Sequence, residues 1–294
     1  MSETMYQMKL EFFTKDETFP FYIQYGYHKD NMYLHVHESY SELVIVLGGS
    51  AKHMVNQEEF YISEGDVFII GADTYHGYKE ANDFRICNIM FRHEYFFAND
   101  FDMKELSGFQ GLFVIEPILS QCRSFHNMLK LNRDEFDKVK KIIDAMVKEY
   151  KEKKAGYKMY LTGMFYQISV LLSRLYSVSG EYKGSEVFGM AKSIAYIESH
   201  FTEPLTVALL SEIAGFSPRH YTRRFLEITN STPIQYINEI RLKKAVVYLE
   251  SSKTPVAVIA AKCGFADSNY FSRQFKKYYG ASPTEYRKEL PHFI

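Results

Sequence analysis

Residues 261–287 read AKCGFADSNYFSRQFKKYYGASPTEYR, and residues 212–237 read EIAGFSPRHYTRRFLEITNSTPIQYI. The two stretches are copies of one pattern. Ala214-Gly215-Phe216, Tyr221-Thr222-Arg223-Arg224-Phe225 and Pro233-Ile234-Gln235-Tyr236 return as Cys263-Gly264-Phe265, Phe271-Ser272-Arg273-Gln274-Phe275 and Pro283-Thr284-Glu285-Tyr286. The offset is 49 residues at the glycine and 50 beyond it, so one residue is inserted between them. Two copies are too few for a solenoid and indicate two duplicated helical units. In the first, Thr206 is the expected N-cap, Val207, Leu209, Leu210 and Ile213 are apolar, and Gly215 stands just past the helix end. Ser217 then caps a new helix with Pro218 at its first position, where a missing N–H costs nothing. In the second, Thr254-Pro255 repeats the cap-plus-proline start, Val258 and Ile259 are apolar, Gly264 ends the helix and Asp267 caps the next. Ser211 and Ala260 are small at the matching points where each first helix crosses its second. Two short helices joined by a tight glycine-containing turn make the unit whose second helix enters a DNA major groove.

The solvent faces of the two second helices carry Arg219, His220, Thr222 and Arg223, and Ser268, Asn269, Ser272 and Arg273. Arginine can donate two bonds to guanine O6 and N7, and asparagine can pair bidentately with adenine. Tyr221, Phe225, Phe271 and Phe275 fall on the opposite, core-facing stripe. Any single arginine reads equally well as a solvated surface charge; the duplicated unit decides for DNA. Charge agrees once the chain is divided. The formal total of −1 argues against a nucleic-acid partner, but residues 1–186 carry 21 Lys+Arg against 27 Asp+Glu, and residues 187–294 carry 14 against 9. An acidic part of −6 masks a basic part of +5.

From Ile213 to Phe225, and above all from Ala261 to Arg287, the sequence resembles the DNA-binding domain of AraC/XylS-family transcription regulators. The resemblance covers about residues 190–290. It implies two helix-turn-helix units in successive major-groove segments of one asymmetric half-site, joined by a long helix. That helix would run from about Pro233 to Ser251, with Ile237, Ile240, Leu242 and Val246 packing against both units. The family's base-contacting positions fall on Arg219, Thr222, Arg223, Ser268, Asn269, Ser272 and Arg273; Lys276 and Lys277 fit phosphate contacts, which position without specifying. The resemblance also implies RNA polymerase as a partner and activation as the usual mode.

The N-terminal part has a different period. From Tyr22 to about Phe91, segments such as Leu43-Val44-Ile45-Val46-Leu47, Glu59-Phe60-Tyr61-Ile62 and Asp66-Val67-Phe68-Ile69-Ile70 are short and rich in β-branched and aromatic residues. Gly48-Gly49, Asn56, Gly65 and Gly71 punctuate them, which predicts a sandwich or small barrel. His35-Val36-His37 places both imidazoles on one side of a strand. With Glu42 and His76 it resembles the metal-binding pattern of cupins, but Gly71-Ala72-Asp73 stands where the second cupin motif normally has proline and glycine. Metal ligation, polar lining of an effector pocket and structural histidines all remain open, and the working expectation is no metal and no cofactor. The stretches Glu42–Val46, Gly65–Phe68, Ala72–Tyr78, Asn82-Asp83 and Asn88–Phe91 most resemble the sensors of rhamnose-responsive activators of the same family. That likeness implies a sugar or sugar-like effector, with His35, His37, Glu42, His53, Tyr75, His76, Arg85 and Asn88 as candidate contacts.

Between the two parts, Phe136, Val139, Ile142, Ile143, Met146, Val147 and Tyr150 recur at helical spacing, and a second helix follows Gly156. The second has apolar residues on more than one stripe. Tyr160, Leu161, Met164, Phe165, Ile168, Leu171 and Leu172 can serve a homodimer interface, or both faces can serve the helix's own domain. Residues 179–185, SGEYKGS, read as a linker. Cys87, Cys122 and Cys263 have no metal-type spacing and read as unpaired thiols of a reducing compartment. Neither a secretory signal nor a membrane span is expected, so the chain is read as cytoplasmic.

The expected class is multidomain α+β: a cupin-like effector-sensing β-barrel over residues 1–130, a helical pair over 131–180, a linker at 181–189, and an all-α DNA-binding domain with two helix-turn-helix units over 190–294. The expected protein is a homodimeric, effector-controlled regulator of promoter DNA and not an enzyme. Two alternatives stand beside it: a metal-dependent cupin enzyme carrying a DNA-binding tail, and a regulator whose sensor answers a partner protein.

Overall fold

The structure is a computed structural model that describes residues 6–29, 31–56, 58–98, 102–122, 128–179 and 185–289. The chain divides into two compact units, Met1–Ala191 and Lys192–Ile294. Residues 180–184 of the expected linker lie outside the described residues, as does the side chain of Cys122.

Among the described residues the first unit has eight strands: β1 (Tyr6–Lys9), β2 (Phe21–His28), β3 (Met32–Glu38), β4 (Ser41–Val55), β5 (Glu58–Ser63), β6 (Asp66–Ile70), β7 (His76–Phe91) and β8 (Leu129–Lys130). They form one sheet in the order β1-β3-β7-β4-β6-β8, with β2 also on β7 and β5 also on β4. The two long strands, β4 and β7, pair antiparallel through three register shifts between Val46 and Lys52. Gly49 sits at this bend with φ +68°, and a Cβ there would lie 2.1 Å from the Asp83 carbonyl oxygen. Only glycine fits so close a crossing of backbones.

The bulge has a consequence for side-chain direction. Val44 and Val46 face the interior before it; Ala51 and Val55 face the same interior after it. The parity has flipped, as one inserted residue requires. The inner face is closed by Ile62, Phe68, Ile70, Tyr78, Phe84 and Ile86, all buried.

The outer face of the sheet is covered by helices. The helices α4 (Arg133–Glu152) and α5 (Tyr157–Val178) follow the expected periodicity, and α4 opens on a capping box between Asn132 and Glu135. Phe165 of α5 sits among Phe21, Phe91, Phe96 and Phe97 at centroid distances of 5.7, 4.9, 4.8 and 5.8 Å. Sequence periodicity did not foresee the helical segment between β7 and β8: α1 (His93–Phe97), α2 (Ser107–Phe109), a π-helical run at Gln110–Ile115, and α3 (Glu116–Cys122). The Glu116 carboxylate accepts from Tyr176 Oη of α5 at 3.0 Å, tying that segment to the helical pair.

From Glu186 on the described residues form helices alone: α6 (Glu186–His200), α7 (Val207–Ala214), α8 (Pro218–Thr229), α9 (Pro233–Ser251), α10 (Val256–Lys262), α11 (Ser268–Tyr279) and α12 (Pro283–Glu289). The two copies share their stop and start signals. Ser217 accepts from the His220 N–H and Asp267 from the Asn269 N–H. Asn230 and Gly280 end the helices in the left-handed region at φ 55° and 82°. Thr232 and Ser282 cap the following helices, each reciprocated by the side chain three residues on, Gln235 and Glu285. One expectation needs correcting: α10 begins at Val256, Pro255 occupies the N-cap, and no side chain caps it. Thr254 therefore lies outside the helix: at the offset of 49 residues that holds up to the glycine, the position of Thr206 is taken by Pro255.

The helix α9 is buried on two sides rather than along one stripe. Ile237, Ile240, Leu242, Ala245 and Leu249 are all buried in it. Leu242, Ala245 and Leu249 join Ile259, Ala260, Cys263, Phe265, Phe271 and Phe275 in the core of the second copy, with Val246 partly buried against them. In the first copy Tyr236 packs edge-on to Phe225 at 5.4 Å and donates to Glu198 at 2.9 Å. Arg241 donates to the Phe201 and Glu203 carbonyls at 2.7 and 2.8 Å while its guanidinium lies 5.7 Å from the Phe265 ring. Among the described residues, no helix is long and apolar enough to cross a membrane.

Candidate functional site

In the helical unit, α8 and α11 each bury one aromatic stripe and expose the other face. Tyr221, Phe225, Phe271 and Phe275 are fully buried, and Tyr221 Oη meets Ser193 Oγ at 2.6 Å. Opposite them Arg219, Arg223, Asn269, Arg273, Lys276 and Lys277 are exposed, and His220, Thr222, Ser268 and Ser272 are half-buried. Thr222 Oγ1 and Ser272 Oγ each donate to the carbonyl four residues back, Pro218 O and Ser268 O, at 2.9 Å. With the hydroxyl protons so engaged, each presents lone pairs outward as an acceptor. The Arg273 guanidinium lies 6.0 Å from the Tyr270 ring, and the His220 ring stacks on Phe216 at 4.9 Å. These contacts restrict long side chains before any ligand arrives, which lowers the entropy lost on binding. Arg224 is different: it is buried, and its Nη1 donates to Glu227 Oε2 at 2.5 Å within α8.

In the sheet unit, six of the eight candidate contacts face the interior. His35 and His37 are both buried on β3, as alternation predicts, and Glu42, His53, His76 and Asn88 are buried with them. His76 Nε2 is 3.2 Å from His37 Nε2, and His76 Nδ1 is 3.3 Å from His53 Nε2. Glu42 Oε2 lies 3.6 Å from His76 Nε2 and 3.8 Å from His37 Nε2. His35 Nδ1 is 3.1 Å from the Tyr33 carbonyl oxygen, so it donates and leaves Nε2 as the free lone pair. Asn88, paired opposite Val44, faces the same interior. Burial pushes the Glu42 carboxyl up to about 8 and His37 and His53 down to about 3, and burial and three histidine neighbours hold His76 well below the usual imidazole range. Burial thus favours the neutral form of the carboxyl and of the rings alike.

Two of the eight are placed elsewhere. Arg85 has the parity of Cys87, Ile89 and Phe91, on the helix-covered face of β7, and stands exposed, paired with Asp83 at 3.3 Å. Tyr75 precedes the strand and is 37% exposed. Sequence reasoning also passed over residues that line the interior. Tyr40 stacks on His37 at 4.6 Å, Phe68 on His53 at 4.6 Å, and Tyr78 lies 5.1 Å from His53. The step of two from His76 to Tyr78 along β7 was a usable signal.

The face of α5 is divided. Leu161, Phe165, Ile168 and Leu172 are fully buried within their own unit, so their expected place in an interface between two copies is corrected. Near its start α5 leaves Met159 at 77% and Tyr160 at 60% to solvent, with Met164 half-buried beside them, and Val178 is exposed at its end. Met159, Tyr160 and Met164 border an open depression with Gly156, Gly163 and Gln167.

A barrel with a buried polar cluster, followed by a basic duplicated helix-turn-helix unit, defines a DNA-binding regulator with a ligand-binding domain. The sequence model of the AraC-like ligand binding domain matches residues 20–159, and that of a helix-turn-helix domain matches residues 210–289. The chain belongs to the AraC/XylS family of transcription regulators. Among curated relatives, the HTH-type transcriptional activator RhaS of Enterobacter sp. (strain 638) is 28% identical over 256 residues, covering 86% of each chain. The HTH-type transcriptional activator RhaR of Mannheimia succiniciproducens is 27% identical over 290 residues, covering 95% of each. Among solved structures, the C-terminal domain of AraT, a response regulator from Geobacillus stearothermophilus, is 29% identical, covers 36% of this chain and 90% of its own, and has a TM-score of 0.34.

Proposed function

We propose that this regulator activates transcription in response to a sugar or sugar-like polyol taken into the N-terminal barrel. The observation that carries the reading is the buried cluster of His35, His37, Glu42, His53, His76 and Asn88 within the region matched by the ligand-binding domain. Imidazole, carboxyl and amide groups donate and accept at close quarters, as recognition of hydroxyl groups demands, and Tyr40 and Tyr78 supply aromatic walls. The likeness to RhaS and RhaR, both named as activators, supports the same reading.

On the DNA side, Arg219, Thr222, Arg223, Ser268, Asn269, Ser272 and Arg273 read base edges, with His220 beside them, and Lys276 and Lys277 hold phosphates. The protein acts as a cytoplasmic homodimer, through the solvent face of α5 around Tyr160 and Met164, and contacts RNA polymerase at the promoter. It works by binding, without catalysis. An effector shifts the equilibrium only by its differential affinity for the sensor's states. The test is a thermal-shift screen of the full chain against sugars, coupled to binding of promoter DNA. The reading expects at least one sugar to raise the melting temperature and change DNA affinity together. If no sugar does either, the partner-protein alternative replaces it; turnover of a sugar would favour the enzyme alternative.

A further inference from the structure

The buried polar groups do more than line a cavity: they converge on one point. The ligand atoms of His35, His37 and His76 all lie within 4.8 Å of one another. Glu42 Oε2 closes the set at 3.6 and 3.8 Å from the His76 and His37 Nε2 atoms, which are themselves 3.2 Å apart. A tetrahedral shell with metal–nitrogen bonds of ~2.1 Å has ligand–ligand edges of ~3.4 Å. The separations among His37, His76 and Glu42 bracket that edge, and His35 completes the set within 4.8 Å. The two Glu42 distances are also too long for hydrogen bonds between the carboxylate and either ring.

The outer nitrogens agree. A metal-ligating histidine keeps its tautomer through a hydrogen bond from its other nitrogen. His35 Nδ1 has the Tyr33 carbonyl at 3.1 Å, and His76 Nδ1 has His53 Nε2 at 3.3 Å. The first turns the His35 Nε2 lone pair inward; the second does the same for His76 when its Nδ1 donates to His53. His37 Nδ1 is buried without a partner whether or not an ion is present, so it does not discriminate.

We propose that the barrel holds a divalent first-row transition-metal ion between His35, His37, His76 and Glu42, with His53 as the positioning residue for His76. Three imidazoles and one carboxylate suit ions of the zinc, cobalt and nickel class over calcium or magnesium, which favour all-oxygen shells. The site reverses the expectation of no metal drawn from the sequence. It does not depend on the effector being a sugar.

The experiment uses the full-length chain, purified without a metal-affinity tag, stripped with chelator and titrated with Co2+. Visible ligand-field absorption and elemental analysis are the readouts. Roughly one ion per chain is expected, with the intense bands of a low-coordinate site. His37→Ala and His76→Ala should lose both, with circular dichroism reporting whether each variant remains folded. His53→Ala keeps all four ligands and should bind ~10–100-fold more weakly, which keeps the proposal testable if a ligand variant fails to fold. Folded wild-type protein that takes up no Co2+ and no Zn2+ overturns the site, as does undiminished uptake by a folded His37→Ala chain. A chain that takes up neither ion yet answers a sugar would leave the polyol reading standing while the ion falls.

Discussion

Arg223 and Arg224 are neighbours in sequence with opposite surroundings, so replacing each with alanine should produce opposite defects. Arg223 is exposed on the outer face of α8, and no stabilising partner is at stake. Its loss should leave stability within ~0.5 kcal/mol. If it reads a base edge, specific affinity falls by ~1–3 kcal/mol, about 5- to 150-fold, while non-specific binding changes little. Arg224 is buried against Glu227, whose side chain is 39% exposed. Removing the guanidinium deletes a charge-assisted bond worth ~1.5–3 kcal/mol. Glu227 can be rehydrated at that exposure, so the ~3–5 kcal/mol cost of a stranded buried charge is not incurred. The expected loss for Arg224→Ala is therefore ~2–3 kcal/mol of stability, with DNA affinity per folded molecule nearly unchanged. Urea denaturation gives the first quantity. Fluorescence anisotropy, with a duplex selected from random sequence and a scrambled control at one salt concentration, gives the second. A destabilised Arg223→Ala chain with intact specific binding would refute the placement of the two faces.

Phe165→Ala removes a ring enclosed by four phenylalanines and should cost ~3–5 kcal/mol in denaturant unfolding. Tyr160→Ala, one turn earlier on the exposed face, should leave that curve unchanged and raise the dimer dissociation constant measured by sedimentation. Gly49→Ala places a Cβ 2.1 Å from the Asp83 carbonyl at positive φ, and should yield little folded protein in a circular-dichroism melt. In metal-free protein the buried carboxyl sets a pH slope. Glu42 is raised from 4.5 to about 8, so the folded state holds the proton longer, and its contribution is full below pH 4.5 and lost as pH rises to about 8. His37 and His53 are lowered from 6.5 to about 3, so their contribution is full above 6.5 and lost as pH falls to about 3. Unfolding free energy should thus decline between pH 6.5 and 8, and Glu42→Gln should flatten that decline.

Local signals were legible wherever chain chemistry alone decided them. The joining helix α9 spans Pro233–Ser251 as expected, because Thr232, Pro233 and Gln235 specify its start whatever surrounds it. His35 and His37 share a face because β3 keeps strict alternation. What could not be read depends on neighbours distant in sequence. The bulge near Gly49 turns His53 inward, whereas alternation counted from Glu42 would have turned it out. Arg85 was by contrast legible: it lies nine residues from His76 and three from Asn88, so alternation along β7 alone sets it on the opposite face. For α5 the sequence showed apolar residues on two stripes but not which stripe meets Phe21 and Phe91. The π-helical run at Gln110–Ile115 has no periodic signature to announce it.

The matched stops and starts of the two DNA-binding copies hold a further implication. Ser217 and Asp267, Asn230 and Gly280, and Thr232 and Ser282 fix where each helix begins and ends. None of those residues supplies a proposed base contact, and beside a shared arginine (Arg223, Arg273) the proposed contacts differ between copies: Arg219 and Thr222 in one, Ser268, Asn269 and Ser272 in the other. Frame and vocabulary are thus separable in this chain. An operator half-site should consist of two unlike words read in a fixed order, and transplanting the outer residues of α8 onto α11 should rewrite the second word as a repeat of the first without refolding the domain.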